Sequence, residues 1–179
     1  MNAYRKDLLK QHRQPDWDKT HGCFTVSKLV KRFKAKTIAE IGVCMGHTAA
    51  EVLNDNKIDF YFMIDHWKDT EELYQKVSKN FDADNVEVMK MNSNEALALV
   101  PNKSLDLAYI DAGHTYKKTR QDILGWYKKL KPGGVLVGDG FNHPRHPKYG
   151  VALAVRKIFD KSEVNVNLGP DSNYWIFKA

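Results

Sequence analysis

Residues 37–48 read TIAEIGVCMGHT, and this stretch decides the predicted fold. The run from Ile38 to Ile41 is apolar apart from one glutamate, which is typical of a short buried strand. Gly42 and Gly46 follow it, and glycines without a Cβ allow the chain to turn tightly. The order strand, glycine loop and helix start is therefore predicted here.

The helix after the glycine loop begins with Thr48 and Glu51, which have the spacing of a capping box. Such a loop directs backbone N–H groups and the positive end of a helix at a ligand. Its Gly-x-x-x-Gly spacing differs from the Gly-x-Gly-x-x-Gly of dinucleotide sites, so NAD is the less natural ligand. Glu40 would repel a phosphate and attract a cation or a ribose hydroxyl. From these residues alone, a plain turn with a surface glutamate is an equal alternative.

Composition indicates one globular domain. The chain has 179 residues, 42% of them hydrophobic and 28% charged, and no apolar run approaches the roughly 20 residues that cross a bilayer. The first 14 residues lack the apolar stretch of a secretory signal, and the two cysteines, Cys23 and Cys44, lack CxxC spacing. We therefore expect a cytoplasmic protein.

The net charge of +6 permits attraction to an anionic partner. The lysines are scattered over predicted solvent-facing helix surfaces and form no stripe interleaved with aromatic residues. Nucleic acid is therefore the less favoured partner. No pattern in the sequence indicates an oligomeric state.

The segment 1–36 precedes the first predicted strand, and we expect it to form a helical cap on a domain that spans 37–179. Its two predicted helices cover 4–14 and 25–33, on either side of proline and glycine turn signals.

The second predicted strand, Asp59–Ile64, ends at an acidic residue, Asp65. An acid about 20 residues beyond a glycine loop can accept both hydroxyls of a ribose, although it can also simply cap a turn. A helix over 70–81 and a strand over 86–91 follow. Asn92 and Ser93 then open a short helix, where they can hydrogen-bond an adenine ring or serve as ordinary N-caps.

Two later strands also end in acids. The strand Leu105–Ile110 leads to Asp111, with His114 close behind, and after a helix over 116–130 the strand Val135–Gly138 leads to Asp139. Strands that alternate with helices imply a parallel sheet with ligands at the carboxyl ends of its strands. The acids at 65, 111 and 139 should therefore share one edge.

The last part of the chain contains a loop, a helix and two strands. The loop over 140–149 is rich in proline and histidine and can cover the predicted site. A helix over 151–159 follows, and strands over 163–168 and 174–177 form an antiparallel hairpin around a short turn.

The order of elements resembles the class I S-adenosylmethionine-dependent methyltransferases. EIGVCMGHTA is similar to the first motif of that family, MIDHW to its ribose-binding strand end, and LDLAYIDAGHTY with LKPGGVLVGD to its fourth and fifth motifs. The resemblance implies a Rossmann-like, doubly wound α/β fold over residues 37–179. Its seven-stranded, mostly parallel sheet would have the order 3-2-1-4-5-7-6 and an antiparallel last strand, with helices on both faces.

The DAGHTY and PGGVLVGD motifs look most like the small-molecule O-methyltransferase branch. The resemblance implies that Asp111 and Asp139 bind Mg²⁺ or another divalent metal, and that Asp111 and His114 are catalytic, with His114 as the base. Metal-dependent relatives place an Asp or Asn where this chain has Gly140, and Asn142 would have to supply the missing oxygen. The cofactor-binding residues implied by the resemblance are Glu40, Gly42, Val43, Gly46, Thr48, Asp65, His66, Asn92, Ser93 and Asp111.

We therefore expect methyl transfer from S-adenosylmethionine to a hydroxyl of a small-molecule acceptor, with a histidine or a metal helping to remove the proton. One alternative is a nucleic-acid methyltransferase, although neither an N-P-P-Y-like run nor a Pro-Cys nucleophile is present. Another is a non-catalytic nucleoside-binding or NAD-binding protein on the same fold.

Overall fold

The computed structural model describes residues 1–12, 23–142, 150–160, 162, 164–169 and 172–179. Helices and strands alternate through the central part of the chain. In chain order they are α1 (Ala3–His12), α2 (Cys23–Phe33), β1 (Thr37–Ile41), α3 (His47–Asp55), β2 (Phe60–Asp65), α4 (Glu71–Asn80), β3 (Val86–Lys90), α5 (Ser93–Leu99), β4 (Leu105–Ile110), α6 (Tyr116–Lys129), β5 (Leu130–Gly138), α7 (Val151–Phe159), β6 (Val166–Leu168) and β7 (Tyr174–Phe177).

The seven strands form one sheet with the order β3-β2-β1-β4-β5-β7-β6. The neighbouring pairs from β3 to β5 are parallel, whereas β7 runs antiparallel to both β5 and β6. A parallel pair needs a crossover, and the helices between the strands supply it. The predicted strand order and the antiparallel last strand are confirmed.

Two apolar clusters lie on opposite faces of the sheet, because successive side chains of a strand point to opposite sides. One cluster joins Ile38 and Tyr61 of the strands to apolar residues of α1, α2, α3 and α4. The other joins Ala39 and Ile64 to apolar residues of α5, α6 and α7. Helices therefore cover both faces, as predicted.

The first two helices pack on the sheet as part of its first apolar cluster. Leu8 of α1 and Val26 of α2 are buried there together with residues of β1 and β2. Residues 13 and 14 of the predicted helix 4–14 lie outside the described residues, and the division of the chain at residue 36 stays a prediction.

The strand register brings the carboxyl ends of the central strands to one edge. Ile41 pairs with Ile64 on one side and with Ile110 on the other, and Ile110 pairs with Gly138. The residue after each of these strand positions therefore emerges at the same edge. This is the physical reason why three distant parts of the sequence contribute to one site.

Two predicted strand starts were wrong by several residues, whereas the other predicted boundaries among the described residues agree with the observed ones to within two residues. The fifth strand begins at Leu130 rather than at Val135, because the Lys-Pro-Gly-Gly segment that was expected only to end a helix continues directly into β5. Leu130 pairs with Leu105 of β4, and the register then shifts before the regular pairing resumes. The sixth strand covers Val166–Leu168. Residues 164 and 165 of the predicted strand 163–168 are not part of it, and residue 163 lies outside the described residues.

Among the described residues, no helix combines the length and the apolar character needed to cross a lipid bilayer.

Candidate active site

A cavity of about 660 Å³ lies at the carboxyl ends of the central strands. Most of the residues predicted to bind a cofactor line it. They are Glu40, Gly42, Val43, Thr48, Asp65, His66, Asn92, Ser93 and Asp111. Gly46 is the exception, since it does not line the cavity.

The glycine loop turns where the backbone of another strand end leaves no room for a side chain. Gly42 has a φ of +93°, and a Cβ there would lie 1.9 Å from the carbonyl oxygen of Asp111. Gly46 has a φ of +86° and would place a Cβ 2.7 Å from the ring of Phe81. Gly42 therefore lets β1 and β4 end side by side, and Gly46 lets α4 pack behind the loop.

The predicted capping box of Thr48 and Glu51 was wrong. Helix α3 begins at His47, and Gly46 in the left-handed conformation occupies its N-cap position without a side-chain cap. Thr48 and Glu51 are therefore inside the helix, where both are buried. The Thr48 hydroxyl donates a hydrogen bond to the Glu40 carboxylate.

Asp65 at the end of β2 points into the glycine loop. Its Oδ2 accepts hydrogen bonds from the N–H groups of Val43 (3.0 Å) and Cys44 (2.9 Å), and its Oδ1 accepts one from Trp67 (3.1 Å). These donors fix the carboxylate at the edge of the cavity. His66 beside it is 61% exposed.

Glu40 is buried at the end of β1, although a surface position was an equal alternative from the sequence. Its Oε2 accepts a hydrogen bond from the Tyr61 hydroxyl at 2.9 Å. Burial raises the pKa of Glu40 to about 8, and the charges of Asp111 and Asp65 act in the same direction, against the hydrogen bonds from Tyr61 and Thr48. A cation bound in the cavity would favour the ionised carboxylate.

The segment after β3 contains a polar network that sequence reasoning missed in part. Ser93 donates from its hydroxyl to Oδ1 of Asp122 at 2.5 Å and accepts a hydrogen bond from Nε1 of Trp126 at 2.8 Å. Asp122 belongs to α6, is only 6% exposed and lines the same cavity. The sequence does contain a signal for Asp122, because it directly precedes Ile123 and lies four residues before Trp126, both on the apolar face of the predicted helix. The structure shows that all three residues are buried.

Asp111, His114 and Asp139 lie together beside the cavity, and a carboxylate oxygen or ring nitrogen from each falls within 4.8 Å of the others. Nε2 of His114 is 3.5 Å from Oδ1 of Asp111, whose Oδ2 accepts a hydrogen bond from the Tyr109 hydroxyl at 3.2 Å. The N–H of Gly150 donates to the carbonyl oxygen of His114 at 2.9 Å and so ties this turn to the start of α7.

The three side chains fit a divalent cation by their chemistry. Carboxylate oxygens suit Mg²⁺ and Mn²⁺, and an imidazole nitrogen suits transition metals such as Mn²⁺, Fe²⁺ or Zn²⁺. Asn142 is exposed, and 143–149 of the predicted covering loop lie outside the described residues.

Comparison with known proteins identifies the family to which this chain belongs. A family model described as a methyltransferase domain matches residues 39–141. This segment contains the glycine loop, Asp65, the Asp122 network and all three members of the Asp111 cluster. Among curated proteins, no sequence matches the chain.

Several solved structures share the fold at low sequence identity. An O-methyltransferase from Bacillus cereus in complex with S-adenosylhomocysteine is 16% identical, with a TM-score of 0.70 over 99% of this chain and 92% of that chain. The O-methyltransferase TomG from Streptomyces achromogenes, in complex with S-adenosylmethionine, is 16% identical, with a TM-score of 0.68 over 100% and 91%. The S-adenosylhomocysteine-bound methyltransferase PaMTH1 from Podospora anserina is 16% identical, with a TM-score of 0.71 over 100% and 89%.

Proposed function

The chain belongs to the methyltransferase domain family, and on that premise we propose that it transfers the methyl group of S-adenosylmethionine to a hydroxyl of a small molecule. The observation that carries the proposal is the Asp65 carboxylate held against the glycine loop at the edge of a 660 Å³ cavity. Two of the similar structures contain S-adenosylhomocysteine and one contains S-adenosylmethionine, which supports the choice of cofactor.

The cofactor would lie along the strand ends with its ribose at Asp65. An ionised carboxylate accepts hydrogen bonds from both ribose hydroxyls, and the carboxylate already faces the loop. Glu40 lines the same cavity from the end of β1 and would face the positively charged methionine part. With a pKa of about 8, the Glu40 carboxyl is neutral at pH 7 when the cavity holds no cation. A bound cation would favour its ionised form. The site therefore favours a positively charged sulfonium over a phosphate.

His114 is the proposed base for the acceptor hydroxyl. S-adenosylmethionine supplies an activated methyl group, so the chain has to orient donor and acceptor and remove one proton. His114 can accept that proton, and Asp111 at 3.5 Å stabilises the imidazolium that forms. Asp111 and Asp139 would hold a divalent metal, which when bound lowers the pKa of a neighbouring hydroxyl.

An assay with labelled S-adenosylmethionine and a panel of small phenols, catechols and aliphatic alcohols tests the proposal. The expected result is a methyl ether, identified by mass spectrometry, whose formation depends on the intact His114 side chain. Transfer of the label only to RNA or DNA, or to none of the panel while the cofactor still binds, would refute the small-molecule assignment.

Nucleic acid is the second candidate acceptor, because the net charge of +6 favours binding to a polyanion. Such binding would weaken steeply with salt, so a failure to bind RNA or DNA even at low salt would exclude it.

The cytoplasmic location also stays a proposal, based on the low cysteine content.

A further inference from the structure

The N-terminal helix α1 contacts the glycine loop directly. The Tyr4 hydroxyl donates a hydrogen bond to the carbonyl oxygen of Met45 at 2.8 Å. Met45 lies between Gly42 and Gly46 in the loop and lines the cavity at the strand ends. Tyr4 does not line the cavity, so it can affect a ligand bound there only through the loop.

Apolar packing holds Tyr4 in this position. Leu8 and Leu9, in the next turn of α1, are buried in the first apolar cluster. The Tyr4 ring packs edge-on against the Phe81 ring, with the two centroids 6.4 Å apart. Phe81 in turn faces Gly46, where a Cβ would lie 2.7 Å from its ring. Helix α1, Phe81 and the glycine loop therefore pack together as one unit.

The loop contains a residue whose backbone conformation needs support from its surroundings. Cys44 has a φ of +51°, in the left-handed region that residues other than glycine rarely adopt. Such a conformation persists only where neighbouring contacts hold it. Relaxation of Cys44 would displace its N–H group, which donates to Oδ2 of Asp65 at 2.9 Å. The conformation of Cys44 therefore matters for the carboxylate that we assign to the ribose.

Hydrogen bonds hold the two peptide groups that follow Cys44. Nε1 of Trp67 donates to the Cys44 carbonyl oxygen at 3.0 Å, and the Tyr4 hydroxyl holds the next carbonyl, that of Met45. Trp67 and Asp65 both belong to the exit of β2, whereas Tyr4 comes from the N-terminal helix. Burial raises the pKa of the Tyr4 hydroxyl above its ordinary value, so it keeps its proton and remains a donor at neutral pH.

We propose that Tyr4 is a positioning residue for the cofactor, and that docking of α1 through its hydroxyl holds the glycine loop in the conformation that binds the nucleoside. The inference rests on the proposed function, since it assumes that a nucleoside cofactor occupies the cavity. Coupling of this kind is reciprocal, so a bound cofactor must also favour the docked position of α1. Helix α1 is then part of the cofactor site, although none of its residues lines the cavity.

Tyr4→Phe tests the proposal, because it keeps the ring against Phe81 and removes only the hydrogen bond to Met45. Isothermal titration with S-adenosylhomocysteine should give an affinity about 5-fold below that of the wild type, as for loss of one neutral hydrogen bond. An affinity within about twofold of the wild type would overturn the inference.

Tyr127→Phe is the matched control. Tyr127 is half-buried like Tyr4, and its hydroxyl also donates to a backbone carbonyl, that of Phe177, but neither residue lines the cavity. This variant should bind S-adenosylhomocysteine within about twofold of the wild type. An equal loss of affinity in both variants would contradict a specific role for Tyr4.

Hydrogen exchange of the ligand-free protein separates positioning of the loop from a general contribution to stability. In Tyr4→Phe the backbone amides of Cys44 and Gly46 should exchange about 5-fold faster, because the loop opens locally more often. Amides of β1 and β4 should keep their wild-type exchange rates. Equally faster exchange in the loop and in these strands would show that the hydroxyl only stabilises the fold as a whole.

The same measurement with ligand tests the reciprocal effect on α1. Saturating S-adenosylhomocysteine should slow amide exchange in α1 of the wild type about 5-fold and leave it nearly unchanged in Tyr4→Phe. Slowing of the same size in both proteins, or in neither, would contradict the coupling.

Failure of the proposed function is distinguishable from failure of this inference. If S-adenosylhomocysteine does not bind the wild-type protein at all, both are refuted. If it binds the wild type and Tyr4→Phe equally well, the cofactor assignment stands and only the role of Tyr4 is refuted.

Discussion

Glu40 combines a buried position with an ionisable group, and this should make the stability of the protein depend on pH. The pKa of its carboxyl is about 8 in the folded chain and 4.5 for an unperturbed glutamate. Between these two values the unfolded chain has released the proton and the folded chain has kept it. The unfolded state then binds fewer protons, so the free energy of unfolding falls as the pH rises through this window.

Glu40→Gln should remove this fall, which is on the order of 4 kcal/mol between pH 4.5 and 8. Glutamine has the same shape and still accepts a hydrogen bond from the Tyr61 hydroxyl. Urea unfolding at a series of pH values measures the effect as the difference between wild type and variant. The raised pKa of Asp122 also makes the free energy of unfolding fall with rising pH. This contribution is present in both proteins, so it cancels in the difference between them. Parallel pH profiles for the two proteins would contradict the assignment.

His114 should affect the rate of methyl transfer and leave cofactor affinity unchanged, because it does not line the cofactor cavity. His114→Ala removes the proposed base and should lower the rate at saturating substrate about 100-fold or more. Initial rates with an identified acceptor measure this loss, and titration with S-adenosylhomocysteine provides the control. An unchanged rate at saturating substrate would contradict the assignment of His114 as the base.

Individual site residues were the features that the sequence predicted least completely. Asp65 and Asp111 could be predicted because a strand end exposes whatever residue follows the apolar run. The burial of Glu40 could not, since it depends on Tyr61 from β2 and Thr48 from α3. Asp122 was missed because helix periodicity shows only that it is on the buried side, and the cavity beside it is formed by another element.

The glycine loop is the element on which the site depends, and two glycines allow its tolerance to be measured. Gly42 and Gly133 both have positive φ, at +93° and +77°. A Cβ at Gly42 would lie 1.9 Å from the carbonyl oxygen of Asp111, whereas nothing lies within 4 Å of one at Gly133. The two positions therefore share backbone strain but differ in steric contact.

Gly133→Ala should lower the free energy of unfolding by about 1 kcal/mol, the cost of left-handed backbone for alanine. Gly42→Ala should lower it by about 3 kcal/mol more, because β1 and β4 must separate at their ends. Chemical denaturation of both variants measures the difference. Equal losses would show that the contact between the two strand ends does not constrain the loop.

The observed element boundaries agree with the predicted ones where neighbouring residues determine them. They differ where pairing with another strand determines them. Strands β1, β2 and β4 are apolar runs that end in glycine or acid, and they lie close to where they were predicted. The start of β5 was missed because Pro132 and Gly133 indicate a turn, while pairing of Leu130 with Leu105 extends the strand through them. The predicted capping box failed because Gly46, in the left-handed conformation, occupies the N-cap position two residues before Thr48.

At the scale of the whole molecule, the strand order brings distant residues into one site. Glu40, Asp65, Asp111 and Asp139 come from four different strand ends, and parallel pairing places them at one edge. The order was predictable because alternation of strands and helices restricts the topology and the motifs resemble one family. The acceptor was not, since no residue pattern specifies the shape of its pocket.

The central claim is that the cavity binds a nucleoside cofactor whose ribose contacts Asp65. Calorimetric titration of S-adenosylhomocysteine and NAD into the wild-type protein and Asp65→Asn tests it most directly, with thermal unfolding as a control for the fold. We expect S-adenosylhomocysteine to bind the wild type more tightly than NAD, and the substitution to weaken it by about 10- to 100-fold, as for loss of a charged hydrogen-bond acceptor. Tighter binding of NAD, or an affinity for S-adenosylhomocysteine that Asp65→Asn leaves unchanged, would contradict the claim.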